Sequence, residues 1–263
     1  MQVRRVPAAT GWQWVMEGFT VFGRNPGAIL GAAVLMIFAL LVSSMPPLIG
    51  SLLPLVIWPA LGYGFAQVSR KVLDGQKPAP LTLFTGLRPK AKTVFQGMLA
   101  IGSVNAAATA LALLATLPID GGALLEQLSP RAAADQAEPG IATAYAGLVF
   151  LALYCPLQLA LWYSPLFVGM DGVPPARAFF YSVVAVWRNK FAFCVYFGGW
   201  LLVAIGLSIL ARLVALVLPS AIAGFVLAPG LLVAMVALYS GSFWATYRDT
   251  VEKDGYPSRP AAT

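Results

Sequence analysis

This chain contains no histidine, two cysteines and only 10% charged residues, and each shortage narrows what it can do. Without histidine it lacks the commonest general base and metal ligand. Cys155 and Cys194 stand apart inside apolar runs, where a thiol packs as a small side chain, and two separated cysteines make no ligand set. An ordinary soluble domain carries roughly 25% charged residues, so water is the wrong solvent for most of a chain that is 59% hydrophobic. The residues point to no catalytic group, no metal and no cofactor, and the chain is not expected to be an enzyme.

In place of charge there are long apolar stretches. Pro26 to Gln67, Thr93 to Ile119, Gly140 to Met170, Phe191 to Ala211 and Leu213 to Tyr247 hold no Asp, Glu, Lys or Arg. About 20 apolar residues cross a hydrocarbon core, so the expected fold is an all-α, polytopic transmembrane helix bundle of about six spans. Strands of a membrane barrel would alternate apolar and polar residues, and these runs do not. The expected helices are 26–44, 48–69, 93–117, 141–168, 191–218 and 221–247. Asn25 is the cap of the first, and Pro26 takes the first helical position, where its missing N–H is harmless. Arg4 and Arg5 imitate a signal-peptide start, but residues 11–24 with Glu17 separate them from the apolar run, so the N-terminus is expected to be retained.

Lysine and arginine orient the spans. Of the 17, all but Arg131 and Arg212 fall on one side: Arg4, Arg5, Arg24, Arg70, Lys71, Lys77, Arg88, Lys90, Lys92, Arg177, Arg188, Lys190, Arg248, Lys253 and Arg259. The positive-inside rule then places both termini in the cytoplasm. This bias accounts for the net charge of +7, and with no dense basic arm or recognition module the expected partners include no nucleic acid. Asp120, Glu126, Asp135 and Glu138 fall in the outer loop with Arg131, as a solvated cap.

The sequence also repeats itself loosely. Gly18-Phe19-Thr20-Val21-Phe22-Gly23-Arg24-Asn25 resembles Ser182-Val183-Val184-Ala185-Val186-Trp187-Arg188-Asn189, and Leu83-Phe84-Thr85-Gly86-Leu87-Arg88-Pro89 occupies the corresponding place before the third span. Asp74-Gly75, Asp171-Gly172 and Asp254-Gly255, each shortly before a proline, close the helix pairs as turns. Pro54, Pro59, Pro156, Pro165 and Pro229 are assigned to the interiors of the even-numbered spans. The expectation is one membrane domain of three units, 11–75, 78–172 and 175–255, each an interfacial helix plus a two-span hairpin, with 256–263 as a flexible tail. In the first interfacial helix Trp12, Val15, Met16, Phe19 and Phe22 form an apolar face and Gln13, Glu17, Thr20 and Arg24 a polar one, as for a helix anchored in the headgroup region.

Gly11-Trp12-Gln13-Trp14, Glu17-Gly18-Phe19, Arg24-Asn25-Pro26 and Leu73-Asp74-Gly75-Gln76 resemble an uncharacterised family of six-helix inner-membrane proteins of β-proteobacteria. The architecture is more loosely similar to the membrane domain of bacterial glycerophosphodiester phosphodiesterases, whose catalytic part is a separate soluble barrel. The resemblance implies a bacterial inner membrane location and carries over no activity and no site residue.

No ionisable side chain sits near the middle of a span, which argues against a proton relay. Ser103, Asn105, Thr109, Gln158 and Ser208 are expected to bond between helices or to their own backbone. Arg212 is expected to snorkel to the outer headgroups. Gly27 with Gly31, and Gly97 with Gly102 and Ala106, offer faces for close helix contact. The expected role is structural or lipid-associated, with the bilayer and envelope proteins as partners and the oligomeric state open; the alternative is a transporter or channel component for a neutral or amphiphilic substrate. A lipid enzyme using Asp74, Asp171 and Asp254 ranks behind both, because turn formation explains those residues.

Overall fold

The structure, a computed structural model, describes residues 2–47, 49–128, 140–216 and 227–252. Eleven α-helices are described: α1 (Thr10–Arg24), α2 (Pro26–Ser44), α3 (Leu53–Leu73), α4 (Lys92–Leu114), α5 (Leu117–Asp120), α6 (Ala123–Gln127), α7 (Ile141–Leu161), α8 (Ser164–Asp171), α9 (Pro175–Arg188), α10 (Lys190–Ala215) and α11 (Ala228–Thr250). A 3-10 helix, Pro80–Leu87, precedes α4, and two short strands, β1 (Gln2–Val3) and β2 (Val251–Glu252), pair antiparallel.

Among the described residues five helical stretches are long and apolar enough to cross a membrane: Pro26–Ser44, Lys92–Asp120, Ile141–Asp171, Lys190–Ala215 and Ala228–Thr250. The chain is therefore an all-α polytopic bundle, as expected. The expected second span, α3, is 21 residues long, about 31 Å at the helical rise, but falls outside this set. Gln67, Ser69, Arg70 and Lys71 crowd its last two turns, and it is the inner helix of the bundle, buried from Pro59 to Leu61 and on to Val72 against α2, α4, α11 and the 3-10 helix.

Local chemistry sets several boundaries where they were expected. Asn25 Oδ1 accepts the Ala28 amide at 3.1 Å and Pro26 opens α2. Gly75 and Gly172 end α3 and α8 in the left-handed conformation, φ 73° and 66°, which an L side chain takes only with strain. Asp254-Gly255 lies outside the described residues, as do Arg131, Asp135, Glu138, Lys253, Arg259 and the tail 256–263. The expected start of the last span, 221–226, and the end of the fifth, 217–218, also lie there.

Other expectations need correction. Leu53, not Leu48, begins α3, because the turn after Met45-Pro46-Pro47 runs on through Gly50, whose amide bonds Pro46 O at 2.8 Å. Pro54 and Pro229 stand in the first turns of α3 and α11, where proline is harmless, and Pro165 in that of α8; only Pro59 and Pro156 are interior. The fourth span is not one helix but α7 and α8, broken at Trp162–Tyr163. In a continuous helix Tyr163 N–H would donate to Leu159 O. Instead Ser182 Oγ, from α9, accepts the Tyr163 amide at 2.9 Å and donates to Leu159 O at 2.7 Å, a hydroxyl inserted into the helical ladder.

Helix α1 packs on the bundle through its small residues. Its buried side carries Gly11, Trp14, Val15, Glu17, Gly18 and Val21, while Trp12, Met16 and Phe19 are 47%, 46% and 39% exposed. The glycines let α1 approach α10 and α11 at backbone distance: a Cβ on Gly11 would strike Ala192 O, and one on Gly18 would lie 2.5 Å from Leu238 O. Large apolar side chains gain little by leaving a hydrocarbon surround, whereas small ones allow close helix packing. Gly97 and Gly102 provide such approaches to Val168 and Val56, but Gly27 and Gly31 do not: no neighbouring helix comes within 4 Å of a Cβ there. Cys155 and Cys194 are free and exposed, so they face out of the bundle rather than into it.

The first and last described segments meet. Arg4 N–H bonds Thr250 O at 2.9 Å just beyond the β1–β2 pair, and Asn189 clamps the same segment, accepting Val6 N–H at 2.8 Å and donating to Arg4 O at 2.9 Å. Residues 2–6 and the end of α11 thus share one end of the bundle with the α9–α10 junction.

Candidate functional site

Two polar regions lie within the helices. The first joins α1 to α11. Glu17, assigned from the sequence to a solvated face, is 3% exposed. Arg248 Nη1 lies 3.1 Å from Glu17 Oε1, its Nε 2.9 Å from Asp249 Oδ1, and Trp14 Nε1–H donates to Asp249 Oδ2 at 3.0 Å. Arg248, read as a loop cation, is thus the centre of a buried ionic cluster in which one guanidinium contacts two carboxylates and its Nη2 is left without a hydrogen-bond partner. Next to it Tyr163 O–H donates to Thr246 O at 2.8 Å and accepts from Thr250 Oγ1 at 3.0 Å, and Tyr247 O–H donates to Asp171 Oδ2. Asp171 is therefore more than a turn residue, while Asp74 is exposed beside Arg70 at 3.8 Å.

The second region is a cavity of about 450 Å³ enclosed by α2, α3, α4, α7, α8 and α11. Met36, Leu40, Pro54, Leu55, Trp58, Pro59, Gly62, Phe65, Leu161, Trp162, Pro165 and Phe243 make its apolar wall. Asn105, Tyr154, Gln158, Tyr239 and Ser240 are its polar lining, and no Asp, Glu, Lys or Arg borders it. Half-exposed Trp58 brings the cavity to the molecular surface. Ligand sites are commonly apolar concavities of ~300–1,000 Å³ with a few placed polar groups.

Pro59 builds this site. Lacking an amide hydrogen, it leaves Leu55 C=O without its helical donor. Asn105 Nδ2, from α4, donates to that carbonyl at 2.9 Å. The bond fixes which way the amide points, and Asn105 Oδ1 is left buried with no hydrogen-bond partner in a side chain 3% exposed. Gly102, one turn earlier, permits the approach, since a Cβ there would meet Val56 O.

The other polar residues singled out from the sequence divide. Ser208 bonds its own helix at Ala204 O, 2.8 Å, and Ser103 is exposed. Thr109 is buried with Oγ1 unpartnered. Asn105 bonds between helices as expected, but it also lines the cavity with Gln158, which the sequence reading did not anticipate. Arg212 is exposed near the end of α10. The sequence gave no sign of Glu17 meeting Arg248 or of Trp162 lining the cavity, because both depend on helices distant in the chain. Among the described residues no three His, Cys, Asp or Glu gather as a metal ligand set.

A bundle of apolar helices with a buried cavity is the architecture of a multi-pass membrane protein. The chain is similar to a protein of Burkholderia thailandensis named as a probable inner membrane protein, 35% identical over 271 residues, covering 99% of this chain and 98% of that one. It belongs to that family of probable inner membrane proteins, and its place is the inner membrane, in contact with the bilayer. No family model and no solved structure matches it.

Proposed function

We propose that this protein binds a neutral, lipid-like molecule inside the membrane, a lipid-associated role without chemistry of its own. The observation that supports this is the cavity beside Pro59: apolar walls, a few neutral polar side chains and no bordering charge. A charged ligand would lose its hydration there with no counter-ion in the lining. The test uses tryptophan fluorescence, since Trp58 and Trp162 line the cavity. Lipids brominated in the acyl chain should quench the purified protein saturably, and Gly62→Phe should abolish the saturable part. A Cβ at Gly62 meets nothing within 4 Å, so the new ring enters the cavity rather than the packing. Saturable quenching unchanged in that variant would remove the cavity from the account.

A transport reading has one specific support: the cavity borders the α7–α8 break at Trp162–Tyr163 and the proline defect of the continuous helix α3, and interrupted helices often surround transport sites. Lipid flipping by the reconstituted protein, lost in Pro59→Leu, would favour it.

We further assign both termini to the cytoplasm, on the basic residues and on the pairing of the two chain ends in one β-ladder. A C-terminal alkaline phosphatase fusion that is active would reverse this assignment. The element order runs three times through a short helix, a long helix and a second long segment, which supports the three-unit reading 11–75, 78–172 and 175–255. The looser likeness to the phosphodiesterase membrane domain is part of this proposal on helix order alone. Envelope protein partners remain compatible with the exposed Trp187 and Phe180 of α9.

A further inference from the structure

We infer that the ligand of the cavity beside Pro59 is a lipid-soluble quinone: a flat, uncharged, conjugated ring bearing carbonyl oxygens and carried on an apolar tail. This rests on the reading of the cavity as a binding site and goes beyond it by naming the chemical class.

The first observation is what the wall is made of. Six of the seventeen lining residues are aromatic, Trp58, Phe65, Tyr154, Trp162, Tyr239 and Phe243, in a chain that is 12% aromatic. An acyl chain asks only for apolar bulk, which leucine, valine and alanine supply. A flat ring gains more from other rings, in offset or edge-to-face contact, than burial of its area alone provides. Phe65 is fully buried, but Trp58, Tyr154, Trp162, Tyr239 and Phe243 each keep part of their surface uncovered. Trp162 stands nearly perpendicular to Phe243 and Tyr239, with centroids 5.6 and 6.5 Å away. Trp58 meets no other ring among the described residues.

The second observation is the polar lining. Tyr239 and Ser240 are partly uncovered, and neither hydroxyl makes a hydrogen bond among the described residues. A hydroxyl without an acceptor in the protein has its hydrogen free for a ligand's carbonyl. No Asp, Glu, Lys or Arg borders the cavity, so a charged head would lose its hydration without a counter-ion. The cavity reaches the molecular surface at half-exposed Trp58, where a tail can pass into the bilayer. Ring, carbonyls, neutrality and tail together describe a quinone.

The experiment deletes one ligand feature at a time, on the purified full chain in detergent. A fully ring-substituted benzoquinone with a decyl tail has no open ring position for the free Cys155 and Cys194 thiols. It is compared with the matching decylbenzene, flat but without carbonyls, and the matching cyclohexanedione, with carbonyls on a puckered ring. The readout is the rise in Tm, by circular dichroism, against the mole fraction of ligand in the micelle. The quinone should half-saturate that rise at about tenfold lower mole fraction than either relative. The double variant Tyr239→Phe/Ser240→Ala deletes hydroxyls that bond nothing in the protein. It should keep its own Tm, respond to the decylbenzene as before and lose the advantage of the quinone over it. Gly62→Phe should lose the response to all three. Equal half-saturation by the dione and the quinone would overturn the flat-ring requirement, and equal half-saturation by the decylbenzene the carbonyl requirement; either result overturns the quinone assignment. No response to any of the three, with brominated lipid still quenching saturably, would overturn the quinone and leave the binding role; absence of that quenching as well would overturn both.

Discussion

The α1–α11 contact and the α3–α4 contact each place polar side chains inside an apolar bundle, and they treat them in opposite ways. At the first, Glu17, Arg248, Asp249 and Trp14 bond one another across 231 residues of chain, with Arg248 Nη2 left unmet. At the second, a single neutral amide, Asn105, repairs a proline defect with one end and leaves the other end unmet. A charged network in low dielectric fixes geometry and holds two helices in one register. A lone amide on one carbonyl mends a local defect, and it does so beside a cavity. The first region reads as architecture and the second borders a site.

The comparison breaks most readily at Arg248. Arg248→Met removes the guanidinium that contacts two buried carboxylates, and we expect about 3–5 kcal/mol of destabilisation, seen as loss of the folded protein or a large fall in Tm in detergent. Gly102→Val comes next. Its side chain collides with Val56 O, pushing α4 from α3 and separating Asn105 from Leu55; we expect on the order of 1–3 kcal/mol of destabilisation together with loss of saturable quenching. If quenching survives, the cavity does not depend on that contact.

Asn105→Leu sharpens the contrast. Alone it orphans Leu55 C=O and should destabilise by about 1–3 kcal/mol; in a Pro59→Ala background, where a backbone N–H serves that carbonyl, most of the loss should vanish, a coupling that a double-mutant cycle in thermal unfolding measures. Additive effects would mean that proline and asparagine act separately. Smallest is Asp74→Asn, at an exposed pair 3.8 Å apart, expected to change Tm by less than about 1 kcal/mol allows and to leave ligand binding as it is. Loss of binding there would point to chemistry at the end of the bundle where α3 closes.

Much of the fold was legible because membrane spans announce themselves by length. Helix α2 runs Pro26–Ser44, as its cap, its opening proline and its terminal Pro46-Pro47 turn require. The closing turns at Gly75 and Gly172 were readable for an equally local reason, the positive φ that glycine tolerates. The cavity was half legible: Asn105, Gln158 and Pro59 drew attention as polar or helix-breaking residues in apolar sequence, but not as neighbours.

What the sequence alone determined is that the chain enters a membrane several times, since this follows from apolar length along a single segment. Only the tertiary structure decided which faces meet. Apolar patterning marks the two faces of α1 but not which of them packs: the side with Gly11 and Gly18 turned inward, while Trp12, Met16 and Phe19 turned outward. The α7–α8 break required Ser182 from another helix, and the buried pairing of Glu17 with Arg248 required the first helix to lie against the last. Each depends on two distant segments meeting at hydrogen-bond range, and no property of either segment alone carries that information.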